Sequence, residues 1–318
     1  MSTYVIGVDI GGMSIKWGLV NKKGQILETA NIPTFKKEAQ DDAMKRLGEA
    51  INNFVEKCGV PREEIKGIGI GVPGLINAKA GIVTSSANLI WKDLHIVEQL
   101  EAITGFKVKI GNDANVAALG ETKFGAAKGY DNMVLLTLGT GVGGGIIIDG
   151  KILEGNEGAG AELGHVSLNY GSHLVCGCGR KGCLEVYASA SALIKQTKKE
   201  MLDNFSTSMW DLCNRDINRV TGKTAFDAYK AGDEGGIAVV NQYVRYLSEG
   251  ILNLCNIFRP EVVVLSGGIA KEGKLLVDLI TAYCEKENYG YKGAPKTTIK
   301  IAELGYDTGV IGAASLFM

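Results

Sequence analysis

The sequence has almost no net charge: 34 basic and 35 acidic side chains leave −1 at pH 7. No field of one sign is available to hold a polyanion, so nucleic acid is not an expected partner. No basic, apolar, small-residue leader opens the chain. Its apolar stretches, such as residues 262–265, fall far short of a membrane span. The expected compartment is the cytoplasm, with no membrane contact. Proline is scarce, 5 residues against 44 glycines. The glycines collect in clusters (11–12, 69–74, 139–145, 155–164 and 267–268), as they do where a backbone turns sharply or approaches another group closely. Seven cysteines form no complete set of pairs, and three crowd into 176–183. In a cytoplasmic protein that reads as metal binding before disulfides.

The 318 residues exceed one small core and suit two domains. Apolar runs at 4–9, 15–20 and 25–30, separated by turn residues, predict an antiparallel meander. Four-residue apolar spacing predicts a helix over 38–58. A buried strand over 65–71, a helix over 94–104, a short strand over 108–110 and a helix over 114–124 follow. The order strand, glycine turn, strand then returns at 133–149. Helices are expected at 188–202, 225–231, 237–258 and 273–285 and from Thr308, with strands at 261–265 and 299–303. The reading is α/β, in two related halves. The first spans 1–113, with 304–318 packing back on it; the second spans 114–303.

Six constellations carry chemistry. Asp9, Gly11, Gly12 and Lys16 surround a strand-end turn whose N–H groups can hold phosphate oxygens while the carboxylate holds Mg²⁺. A plain hairpin explains the same residues. Gly139, Thr140 and Gly141 open a glycine-rich run to Gly145, suited to a triphosphate tail or to a β-bulge. Gly267 and Gly268, at a strand end, suit an adenine or ribose or simply a close strand contact. Asn112-Asp113-x-Asn115 places a carboxylate at a strand-to-helix junction, as a proton acceptor or as a helix cap. Glu162 and His165, with Glu185 downstream, suit sugar hydroxyls. His165, ten residues, Cys176-x-Cys178, four residues and Cys183 make a Cys₃His set of the tetrahedral zinc type. His173 is a rival ligand for that set, and His95 is expected to be structural or exposed.

Together these motifs resemble the ROK family of sugar kinases and repressors, within the actin-like ATPase superfamily. The resemblance runs from Val5 to Ala314 through Asp9-x-Gly-Gly, Gly71-x-Pro-Gly74, the Asn112–Glu121 motif, Gly139–Gly145 and Cys176–Glu185. It is nearest to bacterial glucokinases. It implies two ribonuclease-H-like domains with an active-site cleft between them, and MgATP-dependent phosphorylation of a hexose, glucose first, in carbohydrate metabolism and glycolysis. Other ROK kinases (for N-acetylmannosamine, fructose or a β-glucoside) and, less so, a sugar-responsive regulator are the alternatives. With the first strand beginning by Tyr4, no helix-turn-helix is expected ahead of it. The resemblance implies Asp113 as catalytic base. It implies Gly71, Asn88, Asn112, Glu162, His165 and Glu185 as sugar contacts, with ATP, Mg²⁺ and a structural Zn²⁺. It also implies a homo-oligomer, dimer or tetramer. Met13, Gly111 and Ala161 depart from the family pattern, which has Thr, an acidic residue and Gly there.

Overall fold

The structure, a computed structural model, describes residues 3–35, 38–288 and 293–318. Strands β1 (Tyr4–Ile10), β2 (Ser14–Asn21) and β3 (Ile26–Pro33) form the expected antiparallel meander. Helix α1 (Gln40–Cys58) buries Ala43, Leu47, Ile51 and Val55, the four-residue row seen in the sequence. Gly59 then ends it in the left-handed conformation, the usual glycine stop. Strand β4 (Ile65–Val72) pairs parallel with β1.

A small antiparallel sheet follows, which the sequence pattern does not indicate: β5 (Leu75–Asn77), β6 (Ile82–Ser86) and β7 (Trp91–Leu94). Helix α2 (Ile96–Thr104) starts two residues later than the expected 94–104, because Leu94 ends strand β7. Strand β8 (Val108–Asn112) runs parallel to β4 and leads into α3 (Asp113–Phe124). The first sheet has the order β3-β2-β1-β4-β8.

Strands β9 (Met133–Leu138), β10 (Val142–Ile148) and β11 (Lys151–Ile152) begin the repeat. Helices α4 (Glu185–Ala188), α5 (Ala190–Asp203), α6 (Met209–Leu212), α7 (Thr224–Lys230) and α8 (Glu234–Phe258) come next. Strand β12 (Val262–Ser266), α9 (Lys274–Glu287), β13 (Thr298–Ile301) and α10 (Thr308–Ala314) complete the chain. The second sheet has the order β11-β10-β9-β12-β13, the same succession as the first. β10–β11 is antiparallel and β12–β13 is parallel, as at the corresponding positions of the first sheet.

The chain forms two compact units: Met1–Met133 with Gly145–Ala161 and Glu303–Met318, and Val134–Gly144 with Glu162–Ala302. The chain first passes from one unit to the other at 133–134. The physical reason is α3, which packs on α10 inside the first unit. There Gly120 and Gly312 face each other, and a Cβ on Gly120 would come 2.9 Å from the Gly312 Cα. The first unit's core is a block of buried aliphatics from β1, β2, β4, β8, α1 and α2, with Trp17 and Trp91 at 2% and 3% exposure. No helix among the described residues is long and apolar enough to cross a membrane.

Candidate active site and metal centre

In the first unit the carboxyl ends of three strands lie in register. Asp9 pairs with Gly71, and Gly71 pairs with Gly111. Ligands of open α/β sheets gather at such strand ends. Asp9 also faces Lys16 across β1–β2. Its carboxyl group lies against Gly309 in the first turn of α10, where any Cβ would overlap it. Burial raises the Asp9 pKa, the charge of Asp113 raises it further, and Lys16 opposes them. The turn itself is closed by the Gly11 N–H donating to the Ser14 carbonyl (3.0 Å). No described atom lies within 4 Å of where a Gly12 Cβ would be, so a ligand can reach that backbone. Met13 is 86% exposed beside it.

Two adjacent residues competed for the cap of α3, and Asn112 takes it. Its Oδ1 accepts from the Ala114 and Asn115 N–H groups (2.9 and 3.2 Å), and its Nδ2 donates to the Gly74 carbonyl (3.1 Å). This side chain therefore spends its capacity on the strand-helix junction and on Asp113 beside it. Asp113 is left as the first helical residue. It accepts from the Ala114 N–H at 3.0 Å and from the Asn112 side chain, and keeps an exposed carboxylate edge. Although water reaches that edge, protein surrounds the rest of the group. Burial raises its pKa against the lowering effect of the Ala114 and Asn112 hydrogen bonds.

Gly71 and Gly111 have a packing reason. A Cβ on either would come 2.8 Å from a Val116 methyl group. An acidic side chain at 111 would need that β-branched residue to move, so the departure at Gly111 and the presence of Val116 belong together. Asn88 lies exposed in the turn between β6 and β7. Ala161 departs from glycine at φ +60°, in the left-handed region that glycine enters freely and alanine does not.

The run 139–145 is not one loop. Only Gly139, Thr140 and Gly141 form the turn, because β10 already begins at Val142. The later glycines serve close packing instead: a Gly144 Cβ would come 2.5 Å from the Leu163 side chain. Gly143 sends its N–H to Thr137 Oγ1 (3.1 Å). At the turn, Thr140 is exposed and the space where a Gly139 Cβ would sit is open. The Gly267–Gly268 turn runs against β9. Gly267 takes φ +94°, with the Leu138 carbonyl oxygen 2.6 Å from its Cβ position, while Gly268 faces open space.

Glu185 is more tightly held than a free sugar contact would be. Its Oε2 accepts from the Val142 N–H (3.0 Å) and its Oε1 from the Cys176 thiol (3.3 Å). Any side chain on Gly141 would overlap it, so this carboxylate ties the glycine turn to the cysteine motif. Glu162 is exposed and makes no side-chain cap bond where it precedes 163–165.

One ligand atom each of His165, Cys176, Cys178 and Cys183 lies within 4.8 Å of the others. The spacing suits a tetrahedral zinc. Zn–S bonds of about 2.3 Å place two sulfurs about 3.8 Å apart, and a Zn–N bond of about 2.0 Å places nitrogen about 3.5 Å from sulfur. Cys178 and Cys183 are 3.7 Å apart, and Cys176 Sγ is 3.5 Å from His165 Nδ1. The rival His173 is not in the group. Because Nδ1 faces the sulfurs, Nε2 is the nitrogen left over. Without metal the thiols differ: burial pushes Cys176 up to about 12, whereas Cys178 is lowered, first by its bond from the Arg180 N–H. His95 lies at the surface beside Glu98 (3.6 Å).

A family model described as ROK family matches residues 5–318. The glucokinase of Halalkalibacterium halodurans is 35% identical over 317 residues, covering 98% of this chain and 94% of that protein. The xylose repressor of Caldicellulosiruptor bescii is 30% identical over 289 residues, covering 90% of this chain and 71% of the repressor. Among solved structures, a ROK family glucokinase from Streptomyces griseus in complex with glucose and AMPPNP matches with a TM-score of 0.79 at 32% identity. That match covers 98% of each chain.

Proposed function

Since the chain belongs to the ROK family and has its actin-like ATPase fold, we propose that it transfers the γ-phosphoryl group of ATP to a hexose, glucose first. The observation that carries the reading is the division of labour at the start of α3. Asn112 caps the helix, so the Asp113 carboxylate is not needed for the fold and keeps an open edge.

Asp113 orients the sugar hydroxyl and takes its proton as the oxygen–phosphorus bond forms. A carboxylate is basic enough, because the alcohol becomes acidic only late in a loose transition state. Asp9, at the end of β1 across β4 from the β8–α3 junction, would hold Mg²⁺ through water, and the ion would neutralise phosphate charge. The Gly11–Gly12 and Gly139–Gly141 turns offer backbone N–H groups to phosphate oxygens. Gly267 and Gly268 give the nucleoside a close approach to the backbone.

Glu162, His165 Nε2 and Asn112, which would exchange its Asp113 bond for the ligand, are the hydroxyl partners. Glu185 holds the Gly139–Gly141 turn through Oε2, and Oε1, freed of the Cys176 thiol proton once that sulfur binds zinc as thiolate, is left for a sugar hydroxyl. Zinc on His165, Cys176, Cys178 and Cys183 fixes the imidazole tautomer and ring direction.

Coupled ADP release over a panel of glucose, N-acetylmannosamine, N-acetylglucosamine, fructose and a β-glucoside tests the proposal. Release fastest with glucose supports it. Release fastest with another sugar reassigns the substrate. No sugar-dependent release sinks the kinase reading.

A further inference from the structure

Glu121, at the far end of α3 from Asp113, is fully buried at 0% exposure. Its Oε2 accepts from the Ala126 N–H (2.8 Å) and the Glu303 N–H (3.1 Å), and its Oε1 accepts from the Leu304 N–H (3.0 Å). Three backbone donors replace the water that a buried carboxylate would otherwise lack. The site is shaped for the group: a Cβ on Gly125 would overlap Glu121 Oε2.

The two clamped residues, Glu303 and Leu304, lead directly into α10. That helix packs on β1, β4 and α3. Gly7 and Gly69 let it press on β1 and β4, where a Cβ would overlap the Val310 and Ala313 carbonyls. Gly312 lets it press on α3, where a Cβ would overlap the Val116 carbonyl. Gly309, in its first turn, lies under the Asp9 carboxyl group. Glycine faces permit such close approach, but they have shallow ridges and grooves. Helix register is set by interdigitating ridges, so a smooth face fixes distance better than it fixes sliding along the axis. The Glu121 bonds supply the missing constraint by pinning the entry of α10 to the end of α3.

We propose that Glu121 is a positioning residue for phosphoryl transfer, whose clamp on residues 303–304 fixes α10 against α3 and thereby the placing of Asp9 relative to Asp113. The inference rests on the kinase reading above. It assigns Glu121 no contact with substrate.

The test is Glu121→Gln. The amide oxygen can serve Ala126 and Glu303, but its NH₂ group then meets the Leu304 N–H, donor against donor. The expected result is a kcat on the order of 10- to 100-fold lower, as small misplacements at a transfer site produce, with the hexose KM within about threefold of wild type. Amide hydrogen exchange at Glu303 and Leu304 should be faster. A folded variant with faster exchange there and kcat within about twofold of wild type overturns the inference, because the clamp would then be structural only. If Glu121→Gln does not fold, Glu121→Asp decides: it keeps the carboxylate but draws it back one methylene from the Glu303 and Leu304 N–H groups. The same fall in kcat at constant KM supports the inference, and unchanged kcat overturns it. A wild-type chain without hexose-dependent ADP release fails differently, since it overturns the kinase reading and this inference together.

Discussion

Asp113→Asn separates chemistry from folding more cleanly than most base substitutions. The helix cap is Asn112, whose two accepted bonds remain. The Ala114 N–H now bonded to Asp113 Oδ1 at 3.0 Å still meets an amide oxygen in the variant. Loss of a negative charge at a helix start costs about 0.3–1 kcal/mol. The raised pKa of Asp113 works the other way: a carboxylate that prefers its proton in the folded state opposes folding when ionised, and the amide relieves that. The two terms offset, so stability at pH 7 should change by less than about 1 kcal/mol, a shift of a few degrees in Tm for a chain of this length. Catalysis has no such offset. Removal of a general base costs about 10²- to 10⁴-fold, roughly 2.7–5.4 kcal/mol of barrier. Steady-state turnover, calorimetric binding of the sugar and a melting curve give the three readings. The wild-type kcat/KM should fall on its acid side at a pH above the ordinary carboxylate value of about 4, because the base must be ionised and its pKa is raised. The residual activity of the variant should lack that limb. Turnover near wild type refutes the assignment, and so does a collapse of Tm, which would make Asp113 structural.

Cys178→Ala removes the one exposed ligand of the four and should lower bound zinc from about one per chain to a sub-stoichiometric level, with weaker sugar binding; native protein that holds no zinc on elemental analysis rules the site out. Asp233 caps α8, and burial alone would raise its pKa, but bonds from Thr207, Ser208 and Gly236 outweigh it and hold the group at about 2. A depressed carboxylate contributes stability that is present above its unfolded value of about 4 and lost as pH falls toward 2. Asp233→Ala should therefore cost about 1–2 kcal/mol at pH 7 and less near pH 3, as urea midpoints will report; equal costs at the two pH values would contradict the assignment.

What was legible in the sequence was local. The Cys176–Cys183 spacing and His165 come together because a few glycine-rich residues can bring them together unaided. The folded geometry keeps His165, not His173, with the cysteines, placing its Nδ1 3.5 Å from Cys176. The meander and most helices followed apolar runs that keep one period. Strands β5, β6 and β7 were missed because they are three to five residues long and carry too few alternations to register a period. Strand β10 was read as loop at its start because glycine signals both a turn and a close approach. In Gly144 the cause is the Leu163 side chain, nineteen positions further along the chain.

Glu121 marks where local reading runs out. Its carboxylate partners are 5, 182 and 183 residues away, so in sequence it is one more acid near the end of a helix, where an exposed face is the ordinary expectation. The chemical groups of the site are thus carried by short motifs, but their spacing depends on contacts that close only when residues 303–304 return to the end of α3. A chain could keep every motif from Asp9 to Glu185 and still hold Asp9 and Asp113 at the wrong separation. For that reason the Glu121→Gln experiment bears on the reaction as directly as a change in the base itself.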